Sequence, residues 1–301
     1  MKRATHKDLE RVIDAMGLGS GKDFSNLFDE FLEMSLGLLC NNPSTRQQEL
    51  LRSTFADAEK KELFFEAFKA YGDACEGYRD PLGDMFMERI SHGHNGQYFT
   101  PDDLCKLMAE LTKPVGGSIN DPCCGSGRTL LAGLEYSRKE GVEPEIYGND
   151  ISYTAAKMCL MNLLYNSARG AVSCGDTLRL DLSTFRFYKI DRVLMPDGRW
   201  ISTYWRYTHS DLAEVNEKRK KWLMDMAANG LLVELDSDNE KETKANKKQV
   251  KKMTPENFFK MVTEMRNAQR DYENTASEKS LTKKKALEKV IDLEIKKYEN
   301  E

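Results

Sequence analysis

Apolar residues recur at spacings of three and four through the first part of the chain. Phe24, Leu27, Phe28, Phe31 and Leu32 form one stripe, and Leu51 and Phe55, then Leu63, Phe64, Phe68 and Tyr71, repeat it. That period is helical. Pro43-Ser44-Thr45 and Asp80-Pro81 interrupt the pattern, as helix starts and stops do. From Gly96 the texture changes. Short apolar runs predict strands over 117–120, 145–148, 171–174, 191–195 and 231–235, and most are separated by helical stretches over 128–139, 152–166 and 211–228. Such alternation predicts a parallel sheet with helices on both faces. Residues 236–252 are charged, with almost no apolar content, and read as a linker. Thr254-Pro255 has the residue types of a helix start. Residues 281–298 set Leu281, Leu287, Val290, Ile291, Leu293 and Ile295 among lysines and glutamates, the pattern of an amphipathic helix. Three domains are predicted: a helical one over 1–92, an α/β one over 93–236, and a charged linker with a helical tail over 237–301.

Composition narrows the class. With 40% hydrophobic and 31% charged residues the chain is globular. No apolar run approaches the roughly 18 residues of a membrane span, and the polar N-terminus is no signal core. A cytoplasmic protein without a membrane partner is expected. The seven cysteines are odd in number and irregular in spacing. The adjacent pair Cys123-Cys124 suits neither a disulfide nor a tetrahedral zinc site, so reduced thiols and no metal are expected. Charge is uneven. From Lys241 onward there are 16 Lys/Arg and 11 Asp/Glu, a surplus of five, against a net charge of −4 for the whole chain. The remainder is too acidic for general phosphate binding. Any DNA contact would therefore use a local patch, the basic tail or a partner, and the amphipathic tail helix would pack on the chain's own body or on a protein partner.

The strongest chemical signal is Asn120-Asp121-Pro122-Cys123-Cys124-Gly125-Ser126-Gly127-Arg128, a strand running through a glycine turn into a helix. Gly125 and Gly127 let backbone approach a ligand closely, at the strand ends where open α/β sheets bind ligands. The turn lacks the Gly-Lys-Ser/Thr of a phosphate loop and the third glycine of a dinucleotide fingerprint. Upstream stands Gly96-Gln97-Tyr98-Phe99-Thr100-Pro101. Downstream, Tyr147-Gly148-Asn149-Asp150 and Cys174-Gly175-Asp176-Thr177-Leu178 each end a strand candidate in an acid.

This ordered set, over about Gly96–Leu235, resembles the N6-adenine DNA methyltransferases, most closely the modification subunits of type I restriction systems. The resemblance implies an α/β, Rossmann-like S-adenosylmethionine-dependent methyltransferase sheet, with a helical N-terminal domain before it and a charged helical tail after it. It implies S-adenosylmethionine as cofactor. Asp121, Cys123, Gly125 and Gly127 would then approach its methionine part, with Tyr98, Phe99 and Thr100 lining the same end; an aromatic face near a sulfonium is attractive. Asp150 would accept from the ribose diol and Asp176 from the adenine amino group.

One family element is missing. Its members end the next strand in Asn/Asp/Ser-Pro-Pro-aromatic, where an oxygen and a carbonyl accept the hydrogens of the target amine and the ring stacks on the flipped base. Here Ile190–Leu194 runs into Met195-Pro196-Asp197-Gly198-Arg199-Trp200, and no Pro-Pro occurs anywhere. Asp197 and Trp200 could substitute in part, as a carboxylate acceptor and a stacking ring, but at the wrong spacing. The aromatic set Trp200, Tyr204, Trp205 and Tyr207 could stack on bases or pack as core. The expectation is a cofactor-binding protein of the adenine-methyltransferase type with lost or altered catalysis. Two alternatives stay open: an active enzyme with a divergent acceptor loop, and a methyltransferase for RNA, protein or a small molecule.

Overall fold

The computed structural model describes residues 4–17, 21–91, 98–195 and 198–234. The sequence features at Gly96, Gln97, Pro196 and Asp197, and the linker and helices expected after Asp236, lie outside the described residues. The chain divides into a larger unit, Met1–Asp191 with Ser202–Asn216, and a smaller one, Arg192–Ile201 with Glu217–Glu301.

Five helices open the larger unit: α1 (His6–Met16), α2 (Phe24–Leu39), α3 (Thr45–Ala56), α4 (Ala58–Cys75) and α5 (Pro81–Phe86), the last widening into a π-helical turn at Met87–Ser91. Their starts follow capping chemistry. Asp23 accepts from the Asn26 amide, and Ser44 and Gln47 form a reciprocal capping box. α2 is buried along most of its length, because it is apolar on nearly every side. Phe31, Phe64 and Tyr71 meet around it, with ring centroids 6.2–6.4 Å apart.

The sheet follows. Helix α6 (Asp102–Thr112) leads to β1 (Ser118–Asp121), then α7 (Arg128–Lys139), β2 (Glu145–Asp150), α8 (Tyr153–Tyr165) and β3 (Arg169–Cys174). β1, β2 and β3 are parallel, in register at Asp121–Gly148 and Asp150–Cys174. α7 and α8 cover one face, where Gly133 meets Ile119 and Gly148 meets Leu130 and Cys159. α2 and α4 pack on α8 from outside, so α8 is buried on nearly all sides.

The expected parallel sheet covered on both faces needs correction at β4 (Arg186–Leu194). β4 is antiparallel to β3, with Arg186 opposite Cys174 and Ile190 opposite Gly170. The connection, residues 175–185, holds only a 3-10 turn at Leu182–Thr184. A parallel return needs a crossover of about a dozen residues or more, usually a helix; without one the chain folds straight back. On the face away from α7 and α8, Asn120 is exposed and Tyr147, Ala171, Ser173 and Phe187 are half-buried.

β5 (Trp200–Thr208), not expected as a strand, follows β4 in the sheet. The aromatic set therefore alternates along a strand. Tyr204 is buried and its ring meets Tyr188 edge-on, while Tyr207 stacks on Phe187. The segment after α2 lies along β5: the Asn41 amide donates to the Tyr204 carbonyl at 2.9 Å, and Asn42 bonds both backbone groups of Arg206. In the smaller unit, the end of β4 pairs antiparallel with β6 (Leu232–Glu234), and the Arg192 guanidinium lies 4.2 Å over the Trp200 ring. α9 (Leu212–Ala228) precedes β6. No helix among the described residues is long and apolar enough to cross a membrane.

Candidate cofactor site

The carboxyl ends of β1, β2 and β3 lie side by side, and each delivers an acid. Asp121 ends β1, Asp150 ends β2, and Asp176 follows β3 by two residues. Between the first two runs the glycine turn. Gly125 and Gly127 have φ of +55° and +92°, which side-chain-bearing residues resist. A Cβ on Gly125 would sit 2.7 Å from the Phe99 ring, and one on Gly127 2.9 Å from the Cys159 sulfur. Both positions need glycine for space as well as for conformation.

The acids also organise the turn. Asp150 accepts from the Gly125 amide and the Ser152 amide, both at 2.8 Å. Asp121 accepts from the Cys123 amide at 3.0 Å and from the Thr129 hydroxyl. Asp176 accepts from the Leu178 and Arg179 amides. A carboxylate offers about four acceptor positions, so each keeps capacity for a ligand. Asn149 ties the β1 and β3 ends together, donating to the carbonyls of Pro122 and Gly175 while accepting from Ser173.

The aromatic side is arranged unequally. Phe99 stacks on Phe86 at 5.8 Å and lies over Gly125. Thr100 is half-buried, and Tyr98 is 74% exposed. Two residues were missed from sequence. Ile151, next to Asp150, is 69% exposed, and Leu178, two residues past Asp176, is 94% exposed. Each follows an acid, and that placement was the available signal. Together they offer aliphatic surface beside two hydrogen-bond acceptors.

A third missed residue is Asp80. Its side chain is buried, and it binds Ser126 of the glycine turn, Arg128 at the start of α7, and Asn162 of α8. The Asp-Pro helix start was visible in sequence; its long-range partners were not.

The thiols divide by environment. Cys123 is exposed. Burial pushes the Cys105 thiol up to about 11. Cys124 is also pushed up, by its hydrogen bond with Cys159 and by burial. Since the thiolate is the reactive form, a maleimide at neutral pH is expected to label Cys123 well before Cys105 or Cys124, as read by peptide mass mapping. Equal labelling of the three would contradict this geometry. Among the described residues His6, Glu10 and Glu88 lie close enough to hold a cation, but Lys7 and Arg89 already neutralise the two glutamates.

The direction of β4 bears on the missing acceptor element. Its first residue pairs at the acid-bearing end of β3, and later residues pair progressively further from it. β4 thus leaves the cofactor end rather than arriving there. Asp197 lies outside the described residues. Trp200 belongs to the smaller unit, with its ring taken by Arg192.

A family model for N-6 DNA methylases matches residues 79–229, half of the chain. The chain belongs to the N-6 DNA methylase family. The match begins one residue before Asp80 and takes in the glycine turn and all three acids. Among similar proteins, the type I restriction enzyme MjaIX methylase subunit of Methanocaldococcus jannaschii is 37% identical over 89 residues, covering 29% of this chain and 16% of that one. The MjaVIII methylase subunit of the same organism is 26% identical over 170 residues, covering 52% and 29%. The chain thus spans less than a third of either relative. A solved structure described as a class I S-adenosylmethionine-dependent methyltransferase from Listeria monocytogenes matches over 52% of this chain and 49% of that one at 20% identity, with a TM-score of 0.36.

Membership makes S-adenosyl-L-methionine the cofactor, and the residues fit it. Three carboxylates on adjacent strand ends offer negative charge and open acceptor positions, and the glycine turn admits close backbone approach, a donor set compatible with a cationic nucleoside.

Proposed function

We propose that this N-6 DNA methylase relative binds S-adenosyl-L-methionine at the ends of β1–β3 and does not by itself transfer a methyl group to adenine. The cofactor supplies an electrophilic methyl on a sulfonium. In this reading Asp121 meets its ammonium, Asp150 holds the ribose hydroxyls, Asp176 accepts from the adenine amino group, and Ile151 and Leu178 give the purine apolar contact. One observation carries the second half: the strand after β3 runs antiparallel and away from these acids, in a chain without Pro-Pro. Among the described residues, β4 therefore brings no oxygen acceptor to the cofactor end to draw the hydrogens from a poorly nucleophilic amine. The chain then acts as a methylase subunit or regulator, reaching DNA through a partner or its basic tail.

The test pairs binding with turnover. S-adenosylhomocysteine should raise the melting temperature and slow maleimide labelling of Cys123. Label from tritiated S-adenosylmethionine should not enter a broad panel of DNA duplexes. Asp150→Ala should weaken S-adenosylhomocysteine binding by about 1–3 kcal/mol, as loss of charge-assisted hydrogen bonds does. Robust DNA labelling would overturn the non-catalytic half; unchanged affinity in Asp150→Ala would remove Asp150 from the site.

A further inference from the structure

Asp80 stands at the N-cap of α5, where a single oxygen suffices for the cap. Its Oδ1 accepts from the Gly83 amide at 2.8 Å and from Asn162 Nδ2 at 2.7 Å. Its Oδ2 makes no bond to α5. That oxygen accepts from the Ser126 hydroxyl and from Arg128 Nε, the latter at 2.7 Å. Ser126 is the central residue of the glycine turn, and Arg128 is the first residue of α7. Asn162 closes the ring: its other bond runs to the Ser126 carbonyl at 2.9 Å, and it accepts from the Tyr71 hydroxyl at 3.0 Å. The turn is thus gripped at one residue by hydroxyl and carbonyl together, from α5 and α8.

The chain makes room for this grip. A Cβ on Gly83 would fall 1.9 Å from Asp80 Oδ2 and 2.6 Å from the Ser126 hydroxyl. Asp80, Ser126 and Asn162 are all at most 2% exposed, so solvent does not replace a lost partner. Four donors fill the roughly four acceptor positions of one carboxylate, and two of them belong to the segment that faces the cofactor.

We propose that Asp80 is a positioning residue for the cofactor turn, holding the Gly125-Ser126-Gly127 backbone in its ligand-accepting shape from the helical side. The proposal rests on the cofactor reading above and adds to it a coupling: the N-terminal helices set cofactor affinity without touching the cofactor.

Asp80→Asn separates this role from capping, because asparagine caps a helix as well as aspartate does, while its amide nitrogen cannot accept from Arg128. Two readouts decide. The first is amide hydrogen exchange at Gly125–Gly127 without ligand, expected to speed up about tenfold or more, with α3 and α4 amides unchanged. The second is calorimetric affinity for S-adenosylhomocysteine, expected to fall about tenfold or more. Ser126→Ala, which removes only the hydroxyl, should move both in the same direction by less. A folded Asp80→Asn variant with wild-type exchange at the turn and wild-type affinity overturns the proposal. Should that variant fail to fold, Ser126→Ala decides alone, and wild-type exchange at its turn overturns it. A wild-type protein that binds no S-adenosylhomocysteine sinks the cofactor reading instead, and the exchange comparison still decides positioning.

Discussion

Gly170→Ala is expected to abolish stable folding. Gly170 lies inside β3, paired with Ile146 on one side and Ile190 on the other. Its φ is +133°, and an added Cβ would fall 1.9 Å from the Ile146 carbonyl oxygen and 2.7 Å from that residue's carbon and nitrogen. The obstacle is backbone in a neighbouring strand, so no side-chain rotation relieves it. Either β2 and β3 separate, with loss of their ladder, or β3 changes conformation and the cofactor acids lose register. Strain at a special backbone position is among the few causes of penalties above about 4 kcal/mol, against a total stability of about 5–15 kcal/mol. Gly141→Ala is the control: its φ is also positive, at +76°, but an added Cβ meets nothing within 4 Å. It should cost only the conformational term, about 1–2 kcal/mol. Urea unfolding followed by circular dichroism separates the two. A cooperative Gly170→Ala protein with a wild-type midpoint would contradict the β2–β3 geometry.

The second large effect concerns Lys157 on α8. It is 1% exposed, its ammonium pairs with Asp29 and with Glu33 at 3.2 Å, and it lies 4.6 Å over the Tyr153 ring. Glu33 is itself 3% exposed, in the middle of α2. Lys157→Met keeps the length of the side chain and removes the charge. Asp29 retains Arg46 at 2.6 Å, but Glu33 would keep only the Tyr153 hydroxyl, at 3.4 Å. Stranding one partner of a buried ion pair costs about 3–5 kcal/mol, whereas replacing both by apolar residues is often neutral. Lys157→Met should therefore lose about that much stability, and Glu33→Met added to it should recover most of the loss. A single variant as stable as wild type, or a double variant worse than the single, would refute the pairing. The pair matters to the site because it fastens α8, whose first turn follows directly on Asp150.

Much of the cofactor side was legible in sequence because its parts are local. A glycine turn between a strand and a helix depends on a handful of consecutive residues, and Asp121 and Asp150 sit where short apolar runs end. The helices of the N-terminal part were equally readable: period and caps are contained in each segment. Asp80 was seen only as a helix start, since its meaning depends on Ser126 and Asn162, more than forty residues away. β5 is hidden in sequence because Trp200 to Tyr207 present a cluster of rings, and their alternation shows only in the strand.

By itself, then, the order of amino acids determined the α/β class, the turn and acids that suit a nucleoside cofactor, and the lack of a Pro-Pro acceptor element. Strand direction was decided only in three dimensions. Periodicity shows that residues 190–194 form a strand, but nothing in it distinguishes up from down. That choice came from a short link without a helix, which turned β4 back along β3.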